Sequence, residues 1–316
     1  MAEPEVFLDL RPMLFGMAYR MLGSASDAED VLQDAYLRWQ GQAGEEVRSA
    51  RSFLTTIVVR LCIDQLRSAR VRRTSYVGPW LPEPVATEDD DPARVAELAD
   101  SLSLAFLVLL EELSPLERAA FLLREVFAYS YPEVAAMLGR SEGACRQLAS
   151  RARRQIGDRR RRFDTDRQQG EQLAVRFVTA CAGGDLDDLL GLLAADVVVW
   201  TDGGGKAKAA PRPVVGAPRA ARFLINVAKT LSPSGTVRYA SINGQAGVVI
   251  EDHGGPVSAV VLDVIEGLIC GVRVVSNPDK LDALTVEKER RGFPRRVGAG
   301  TALNGKWKAA AGHRSR

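Results

Sequence analysis

The sequence predicts a multidomain protein in which an all-α N-terminal half is followed by an α+β domain. The chain has 316 residues, which is more than one typical domain holds. Helix start signals recur through the first half, where a serine is followed three residues later by glutamate. From Val197 onward the pattern changes to β-branched runs that are separated by turn residues. These three observations give the fold class.

The first seventy residues are predicted to form three amphipathic helices. Apolar residues recur at helical spacing from Phe7 to Met21, and Gly23 ends the first helix. Ser26, followed three residues later by Glu29, predicts the capping box of the second helix. A third helix is predicted from about Ser49 to Arg70. This part of the chain is therefore expected to be a helical module.

Two of these helices carry charged faces of opposite sign. The outer face of the second helix is acidic and polar, with Asp27, Glu29, Asp30, Gln33 and Asp34. The distal half of the third helix is basic, with Arg60, Arg67, Arg70, Arg72 and Arg73. A carboxylate face suits a basic protein partner, whereas an arginine face suits nucleic acid.

The stretch from Ser114 to Arg162 predicts a helix-turn-helix. Ser114 and Ser130 each begin a capping box, and Gly139 suits the left-handed residue that ends the middle helix. Ser141 then caps a third helix, whose inward stripe is Cys145, Leu148, Ala149, Ala152 and Ile156. In such a motif the third helix enters the major groove of DNA. A solvated helix in an ordinary bundle is the alternative, but the start and stop signals fall at the intervals of the motif.

Charge is balanced over the whole chain but not locally. The net charge is +2, yet the segment from Arg146 to Arg167 contains nine arginines and only three aspartates. Arginine binds phosphate and guanine bidentately through its planar fork. This local excess of positive charge therefore favours DNA binding by the helix that begins at Ser141.

The C-terminal half predicts helices followed by a curled antiparallel sheet. Helices are expected before and after Gly183-Gly184 and from about Pro218 to Leu231. Five strands are predicted: Val197 to Trp200, Thr236 to Ile242, Gly247 to Glu251, Val257 to Ile265 and Leu268 to Ser276. Helices on a curled sheet give an α+β cone with an apolar pocket, which could take a small-molecule ligand.

Five side chains of this domain are of types that an enzyme could use. The candidates are Trp200, Asp202, Glu251, His253 and Asp263. His253 lies in a predicted hairpin turn, no metal-ligand spacing is present, and no Ser/His/Asp set can be assembled. Asp202 to Lys206 reads DGGGK, which lacks the length of a nucleotide-binding loop. The sequence therefore predicts no enzyme, no cofactor and no metal.

The four cysteines, Cys62, Cys145, Cys181 and Cys270, are far apart in the sequence. They are expected to be reduced core residues. No apolar run reaches membrane-spanning length and the N-terminus has no basic start of a signal peptide, so a cytoplasmic protein with no membrane contact is predicted.

Several segments together resemble bacterial sigma factors of the extracytoplasmic-function (ECF) class. The segment from Asp27, DAEDVLQDAYLRW, and that from Ala50, ARSFLTTIVVRLCIDQLRSAR, look like sigma region 2. The segment from Leu113, LSPLERAAFLLREVFAYSYPEVAAMLGRSEGACRQLASRARRQI, looks like region 4. The segments VGPWLPEP from Val77, DGGGK from Asp202 and NPDKL from Asn277 further resemble the subgroup with a C-terminal SnoaL-like (NTF2-like) extension.

This resemblance implies a role for each surface in transcription initiation. The acidic face of Asp27, Glu29, Asp30, Gln33 and Asp34 would bind core RNA polymerase. Residues Gln40 to Phe53 would hold an unpaired promoter base, and the −10 element would be read by Arg60, Asp64, Gln65, Arg67 and Arg70. The −35 element would be read by Ser141, Glu142, Arg146, Gln147, Ser150, Arg151 and Arg154.

The resemblance also implies regulation by the C-terminal domain. The interdomain residues would be Trp80, Leu81, Pro82, Asp202, Gly203, Gly204, Gly205, Lys206, Asn277, Pro278, Asp279, Lys280 and Leu281. Trp80 and Leu81 are poor spacer residues, so we expect the linker to dock on the C-terminal domain. A fused domain could replace a separate anti-sigma factor because tethering raises its effective concentration. The sequence does not fix whether this domain inhibits or assists.

The predicted organisation is region 2 at 1–73, a linker at 74–112, region 4 at 113–166, the SnoaL-like domain at 167–286 and a basic, disordered tail at 287–316. The expected function is a sigma factor that binds core RNA polymerase and promoter DNA and is a monomer when free. The alternatives are a free-standing helix-turn-helix regulator, or isomerase or hydrolase activity in the C-terminal domain.

Overall fold

A computed structural model describes residues 4–41, 49–73, 76–87, 102–157 and 167–285, without the side chains of residues 69–73 and 167–168. The chain forms two compact units. The first is built from residues within Met1–Ser75 and Ala105–Arg161, and the second from residues within Tyr76–Leu104 and Arg162–Arg316. The linker segment that begins at Tyr76 therefore packs with the C-terminal domain.

The N-terminal unit is helical in its described parts. Its helices are α1 (Pro4–Leu22), α2 (Ala25–Gln40), α3 (Ala50–Arg73), α4 (Leu104–Glu111), α5 (Pro115–Phe121), α6 (Tyr131–Leu138) and α7 (Glu142–Gly157). A π-helical turn, Leu122–Val126, continues α5. Leu14, Met17 and Leu54 are among the fully buried side chains of α1 and α3. Burying each such side chain contributes about 1.5 to 3 kcal/mol.

Most of the predicted helix ends are confirmed. At Ser114 and Ser130 both halves of the capping box form, and Gly139 has φ 62° at the end of α6. The predicted box at Ser26 is wrong, because the Ser24 side chain accepts the amide of Asp27 and Ser26 lies inside α2. Gly23, with φ 69°, turns the chain early enough for the upstream serine to act as the cap.

A buried arginine links the helices of the N-terminal unit. The Arg118 guanidinium on α5 is 3% exposed, and its Nη1 donates to the carbonyl of Met21 at 2.6 Å and to Glu111 Oε1 at 2.6 Å. Burial lowers the pKa of Arg118 to about 9, so the group still carries its charge at pH 7. This side chain ties the end of α1 to α4 and α5.

In the described part of the C-terminal unit, three longer helices pack on one face of a six-stranded sheet. Helices α8 (Arg167–Gly183) and α9 (Leu186–Leu192) come first, and α10 (Ala217–Lys229) follows the second strand. The strands are β1 (Leu193–Asp202), β2 (Val214–Val215), β3 (Thr236–Ile242), β4 (Gln245–Asp252), β5 (Gly255–Ile265) and β6 (Leu268–Val275). The expected α+β fold class is confirmed.

The strand order is β2-β1-β6-β5-β4-β3. Two-residue turns at Asn243-Gly244, His253-Gly254 and Glu266-Gly267 join β3 to β6, and all six residues have positive φ. Such turns match the twist of antiparallel hairpins. The expectation of a wholly antiparallel sheet is wrong, because β1 pairs in parallel with β6. The chain between them contains α10, which is long enough for a crossover.

The core lies between the helices and one face of this sheet. Phe177 on α8, Leu189 on α9 and Leu224 on α10 pack with Val199 of β1 and Val272 of β6. Because successive side chains of a strand alternate between faces, the neighbours of these valines point away from the helices. This second face positions the linker.

Candidate nucleic-acid interface and linker site

Helix α7 separates an apolar face from a polar one. Cys145, Ala149, Ala152 and Ile156 are buried, as predicted, while Leu148 is only half-buried. The predicted −35 residues are all exposed: Ser141, Glu142, Arg146, Gln147, Ser150, Arg151 and Arg154. At 100° per residue, Gln147 and Arg154 lie almost directly opposite the buried stripe, and Ser150 and Arg151 lie about 50° to either side of that direction. Gln147 and Arg154 therefore form the centre of the outward face.

Arg146 lies on a flank of α7 instead. Its Nη2 donates to Glu142 Oε2 at 2.9 Å, and its guanidinium lies 4.8 Å from the centre of the Tyr131 ring. Arg124 contacts the same ring at 5.0 Å. The sequence did not single out Tyr131, although its position at the start of α6 could have suggested a contact with the neighbouring helix.

The exposed face of α3 carries the predicted −10 residues that the structure describes. Arg60, Asp64 and Arg67 are exposed on one side of α3, and Gln65 is half-buried. Arg67 pairs with Asp64 at 3.4 Å. The side chain of Arg70, and residues 42–48 of the Gln40 to Phe53 stretch expected to hold an unpaired base, lie outside the described residues.

Helix α3 also packs against the helix-turn-helix. Arg60 Nε donates to the carbonyl of Met137 on α6 at 3.1 Å, and Thr55 Oγ1 lies 3.0 Å from the hydroxyl of Tyr129. Arg51 lies over the Tyr129 ring. One candidate DNA-contacting arginine is thus bound to the other candidate DNA-binding element.

The acidic face of α2 is accessible. Glu29, Asp30, Gln33 and Asp34 are exposed, and Asp27 is half-buried in the first turn. Glu29 pairs with Arg11 at 2.5 Å. Leu37 continues this face one turn further and is 58% exposed. An exposed apolar residue cannot be told from a core residue by its type, so the sequence pattern did not single out Leu37.

In the C-terminal unit, Asp202 at the end of β1 binds the linker. The carboxylate is fully buried and accepts four hydrogen bonds. The donors are the hydroxyl of Tyr76 at 2.5 Å, the amide of Leu81 at 2.8 Å, the amide of Gly204 at 3.0 Å and Lys280 Nζ at 2.7 Å. Burial, and then the hydrogen bond to Asp202, raises the pKa of Tyr76, so this hydroxyl remains a donor.

Lys280 completes the attachment from the other side. Its ammonium group donates to the carbonyl of Leu81 at 2.5 Å and lies 4.3 Å from the centre of the Trp80 ring and 5.0 Å from that of Tyr76. A cation between two aromatic rings is attracted by both. Docking of Trp80 and Leu81 on the C-terminal domain stays a prediction, and these contacts are the ones that would hold it.

The segments DGGGK, from Asp202, and NPDKL, from Asn277, meet beside this attachment. The amides of Ser276 and Asn277 both donate to the carbonyl of Asp202. Gly204 has φ 59°, and a Cβ there would lie 2.3 Å from Asn277 Nδ2, so only glycine fits. Lys206 Nζ pairs with Asp279 at 2.6 Å. Gly203 and Gly205 belong to the same turn. The short 3-10 turn Pro278–Lys280 is capped by Asn277 and followed by Leu281.

Further along the chain, the linker reaches the edge of the sheet formed by β3. Ala86 bridges Ile242 of β3, Thr87 donates to the carbonyl of Ser241, and Asn243 donates to the carbonyl of Val85. Because β1 and β3 are separated by β6, β5 and β4, the chain between Leu81 and Ala86 must cross the sheet. Leu81, Pro82, Glu83 and Pro84 are all buried, as expected for a segment that lies across the face opposite the helices.

The residues weighed for catalysis do not converge. Asp263 forms a buried ion pair with Arg273 and accepts from Gln245 Nε2 at 3.0 Å, and Arg273 lies over Trp200. Glu251 pairs with Arg238 at 3.0 Å, and His253 is 88% exposed in its hairpin turn. Each carboxylate is thus held by its own cation. Asp202, as described above, binds the linker.

Among the described residues, no cluster of histidine, cysteine and acidic side chains could hold a metal ion. Within those same ranges, no helix is long and apolar enough to cross a membrane. Cys62, Cys145 and Cys181 are buried free thiols, and Cys270 is half-buried and also free.

Comparison with known proteins gives a consistent result. Residues 6–72 match the family "Sigma-70 region 2" and residues 103–156 match "Sigma-70, region 4". The chain is 38% identical over 304 residues to "ECF RNA polymerase sigma factor SigJ" of Mycobacterium tuberculosis, a match that covers 92% of this chain and 97% of that protein. It is 32% identical over 280 residues to "Probable ECF RNA polymerase sigma factor SigI" of the same species, covering 88% and 94%.

The fold agrees with a solved structure over nearly the same extent. The crystal structure of the M. tuberculosis extracytoplasmic function sigma factor SigJ superposes with a TM-score of 0.71 at 35% sequence identity. The superposition covers 89% of this chain and 99% of that one. The similarity therefore includes the C-terminal domain as well as the two helical regions.

Proposed function

The chain belongs to the ECF RNA polymerase sigma factors, and from this we propose that its three charged surfaces divide the work of promoter recognition. As a sigma factor it binds RNA polymerase and promoter DNA. In our proposal the α2 face docks on core polymerase, with Leu37 as an apolar anchor among the carboxylates. Helix α3 contacts the −10 element, and the outward face of α7 reads the −35 element.

The observation that carries this proposal is the surface of α7. A short helix, a left-handed glycine and a second helix with exposed polar and basic side chains match a helix that enters the major groove. Gln147 and Ser150 are suited to base edges, and the arginines to guanine or phosphate. We place region 2 at residues 1–73 and region 4 at 113–166.

We propose further that the protein opens when it binds polymerase. The Arg60 guanidinium is hydrogen-bonded to the carbonyl of Met137, so α3 and α6 must separate before both can contact DNA. Strand opening then follows from preferential binding of the unpaired state, without a catalytic residue. The function is therefore binding rather than catalysis, in the cytoplasm.

We also propose that the C-terminal domain regulates the sigma regions through the linker. The segment from Tyr76 to Thr87 joins the two regions in sequence and is held on the sheet by Asp202, Lys280 and Asn243. A held linker limits how far regions 2 and 4 can separate. In this arrangement no separate anti-sigma factor is needed and the free protein is a monomer.

Run-off transcription tests the proposed function. Full-length protein with core polymerase is expected to give transcripts from one start site, whereas the free protein binds duplex promoter weakly. Truncations ending at Arg167 and at Val286 give the sign of regulation: a higher yield assigns restraint to the removed part, and a lower yield assigns assistance. Tight, dimeric operator binding without polymerase would contradict the proposal.

The assignment of α7 to the −35 element is tested by comparing the variants Arg154→Ala and Arg146→Ala. A bidentate base contact is worth roughly 1 to 3 kcal/mol, so loss of the reading residue should weaken initiation about 5- to 150-fold and relax the −35 preference. Because the first turns of a recognition helix reach base edges, we expect relaxed −35 selectivity in Arg146→Ala, and weaker binding without a change of selectivity in Arg154→Ala, whose arginine lies in the last turn of α7. Measurement of transcript yield on promoters with each −35 position changed separates a base contact from a phosphate contact. Unchanged selectivity in both variants would reject the assignment to α7.

A further inference from the structure

The C-terminal domain has an unusual distribution of charge. Between Gly203 and Ile250 the chain has seven lysines and arginines and not one aspartate or glutamate. Over the whole chain the numbers are 42 basic and 40 acidic residues. This window therefore departs strongly from the overall balance, and neither the linker attachment nor the sigma regions account for it.

Five of these cations form what we call the basic stripe: Lys208, Arg212, Arg219, Arg222 and Lys229. All five are exposed. Three lie on α10, whose inward side buries Ala217, Ala220, Ala221, Leu224 and Ile225. At 100° per residue, Arg219, Arg222 and Lys229 fall within about 80° of one another on the solvent side. The other two lie in the loop that leads through β2 into α10.

The stripe also differs from other surface cations in its pairing. Arg11, Arg67, Arg153 and Arg176 each have a carboxylate partner, and so do Lys206 and Arg238 of the same domain. Within the part of the chain that the structure describes, no member of the stripe has one. Five exposed cations without counter-charge repel one another, so a polyanion that neutralises them gains binding free energy.

We propose that the basic stripe binds the phosphate backbone of duplex DNA, independently of base sequence. From Arg219 to Lys229 α10 rises about 15 Å, which is the length of four to five phosphates along one strand at about 3.4 Å each. Arginine and lysine are the residues that make phosphate contacts in such interfaces.

The proposal rests on the proposed function in one respect, because polymerase and the sigma regions bring the domain to promoter DNA. It adds a contribution that the two sigma regions do not make. The contact would strengthen promoter complexes without changing which promoter is chosen. Its signature is therefore salt dependence rather than selectivity.

The test uses holoenzyme assembled from core polymerase and full-length protein. The affinity for a labelled promoter duplex is measured by fluorescence anisotropy between about 50 and 200 mM salt. The variant Arg219→Gln/Arg222→Gln/Lys229→Gln keeps helix-forming side chains and removes three charges. Each lost phosphate contact lowers the slope of log affinity against log salt by about 0.9, so a reduction of roughly 2 to 3 is expected.

Arg176→Gln is the matched control, compared with Arg222→Gln alone. Arg176 is an exposed arginine of the same domain, 60% exposed, but it is paired with Asp188. The slope should stay unchanged for Arg176→Gln and fall by about one for Arg222→Gln. Transcription start sites should stay the same in every variant.

Two outcomes would overturn the proposal. Equal slopes for wild type and the triple variant would show that the stripe makes no phosphate contact. Weaker assembly of the triple variant with core polymerase without DNA, together with an unchanged salt slope, would assign the stripe to an acidic protein surface instead. If wild-type holoenzyme gave no specific transcript, the proposed function would fail, while the slopes of the free full-length protein on a non-promoter duplex would still decide this proposal.

Discussion

Replacing Asp202 by alanine is expected to release the linker from the C-terminal domain. The change removes the acceptor of four hydrogen bonds and breaks the ion pair with Lys280, whose side chain is 12% exposed. Removing one partner of a buried ion pair costs about 3 to 5 kcal/mol. The free energy of unfolding of this unit should fall by that amount in urea titrations, and the Leu81 amide should lose its protection from hydrogen exchange.

Lys206→Ala provides the control for Asp202→Ala. The Lys206–Asp279 pair lies nearby, but its side chains are 56% and 60% exposed. An exposed pair contributes about 0 to 1 kcal/mol, so the linker should keep its protection in this variant. If Leu81 exchanged equally slowly in the Asp202 variant, the carboxylate would not be what holds the linker.

Loss of Arg118 is expected to have the second large effect, in the N-terminal unit. Arg118→Ala removes the donor to the Met21 carbonyl, breaks the ion pair with Glu111 and opens a cavity. We expect a loss of about 3 to 5 kcal/mol in the free energy of unfolding. Thermal unfolding followed by circular dichroism would measure it, and promoter-specific transcription should decline with the folded fraction.

Two variants calibrate this result. Arg118→Lys keeps the charge but lacks the planar fork that reaches both acceptors, so its cost should be intermediate. Arg11→Ala removes an exposed pair with Glu29 and should change stability by less than about 1 kcal/mol. A stability loss at Arg118 no greater than that at Arg11 would contradict the proposed role of the buried guanidinium.

Local signals in the sequence predicted local structure well. The capping boxes at Ser114 and Ser130 and the left-handed Gly139 depend on residues a few positions apart, and all three formed as expected. Even the misplaced cap of α2 is a local matter. Ser24 and Ser26 are each followed three residues later by an acid, and the turn at Gly23 selects the first.

Long-range pairing was much less accessible. Leu81 and Asp202 are 121 positions apart, and no periodicity of either segment indicates that one binds the other. The resemblance to a sigma subgroup pointed to these residues, but only the sheet topology shows that the linker crosses from β1 to β3. The parallel pairing of β1 with β6 could not be predicted for the same reason, since the relative direction of two strands depends on the path of the chain between them.

The bridge between Ala86 and Ile242 has a consequence for how this protein behaves in concentrated solution. By pairing with the end of β3, the outermost strand of the sheet, the linker supplies hydrogen-bond partners to the Ser241 carbonyl and the Asn243 amide, which would otherwise be open to another molecule. A shortened protein that begins after Thr87 would therefore expose a bare rim. We expect such a fragment to self-associate by strand pairing. The linker residues that we propose to control transcription would then also protect the sheet edge from aggregation.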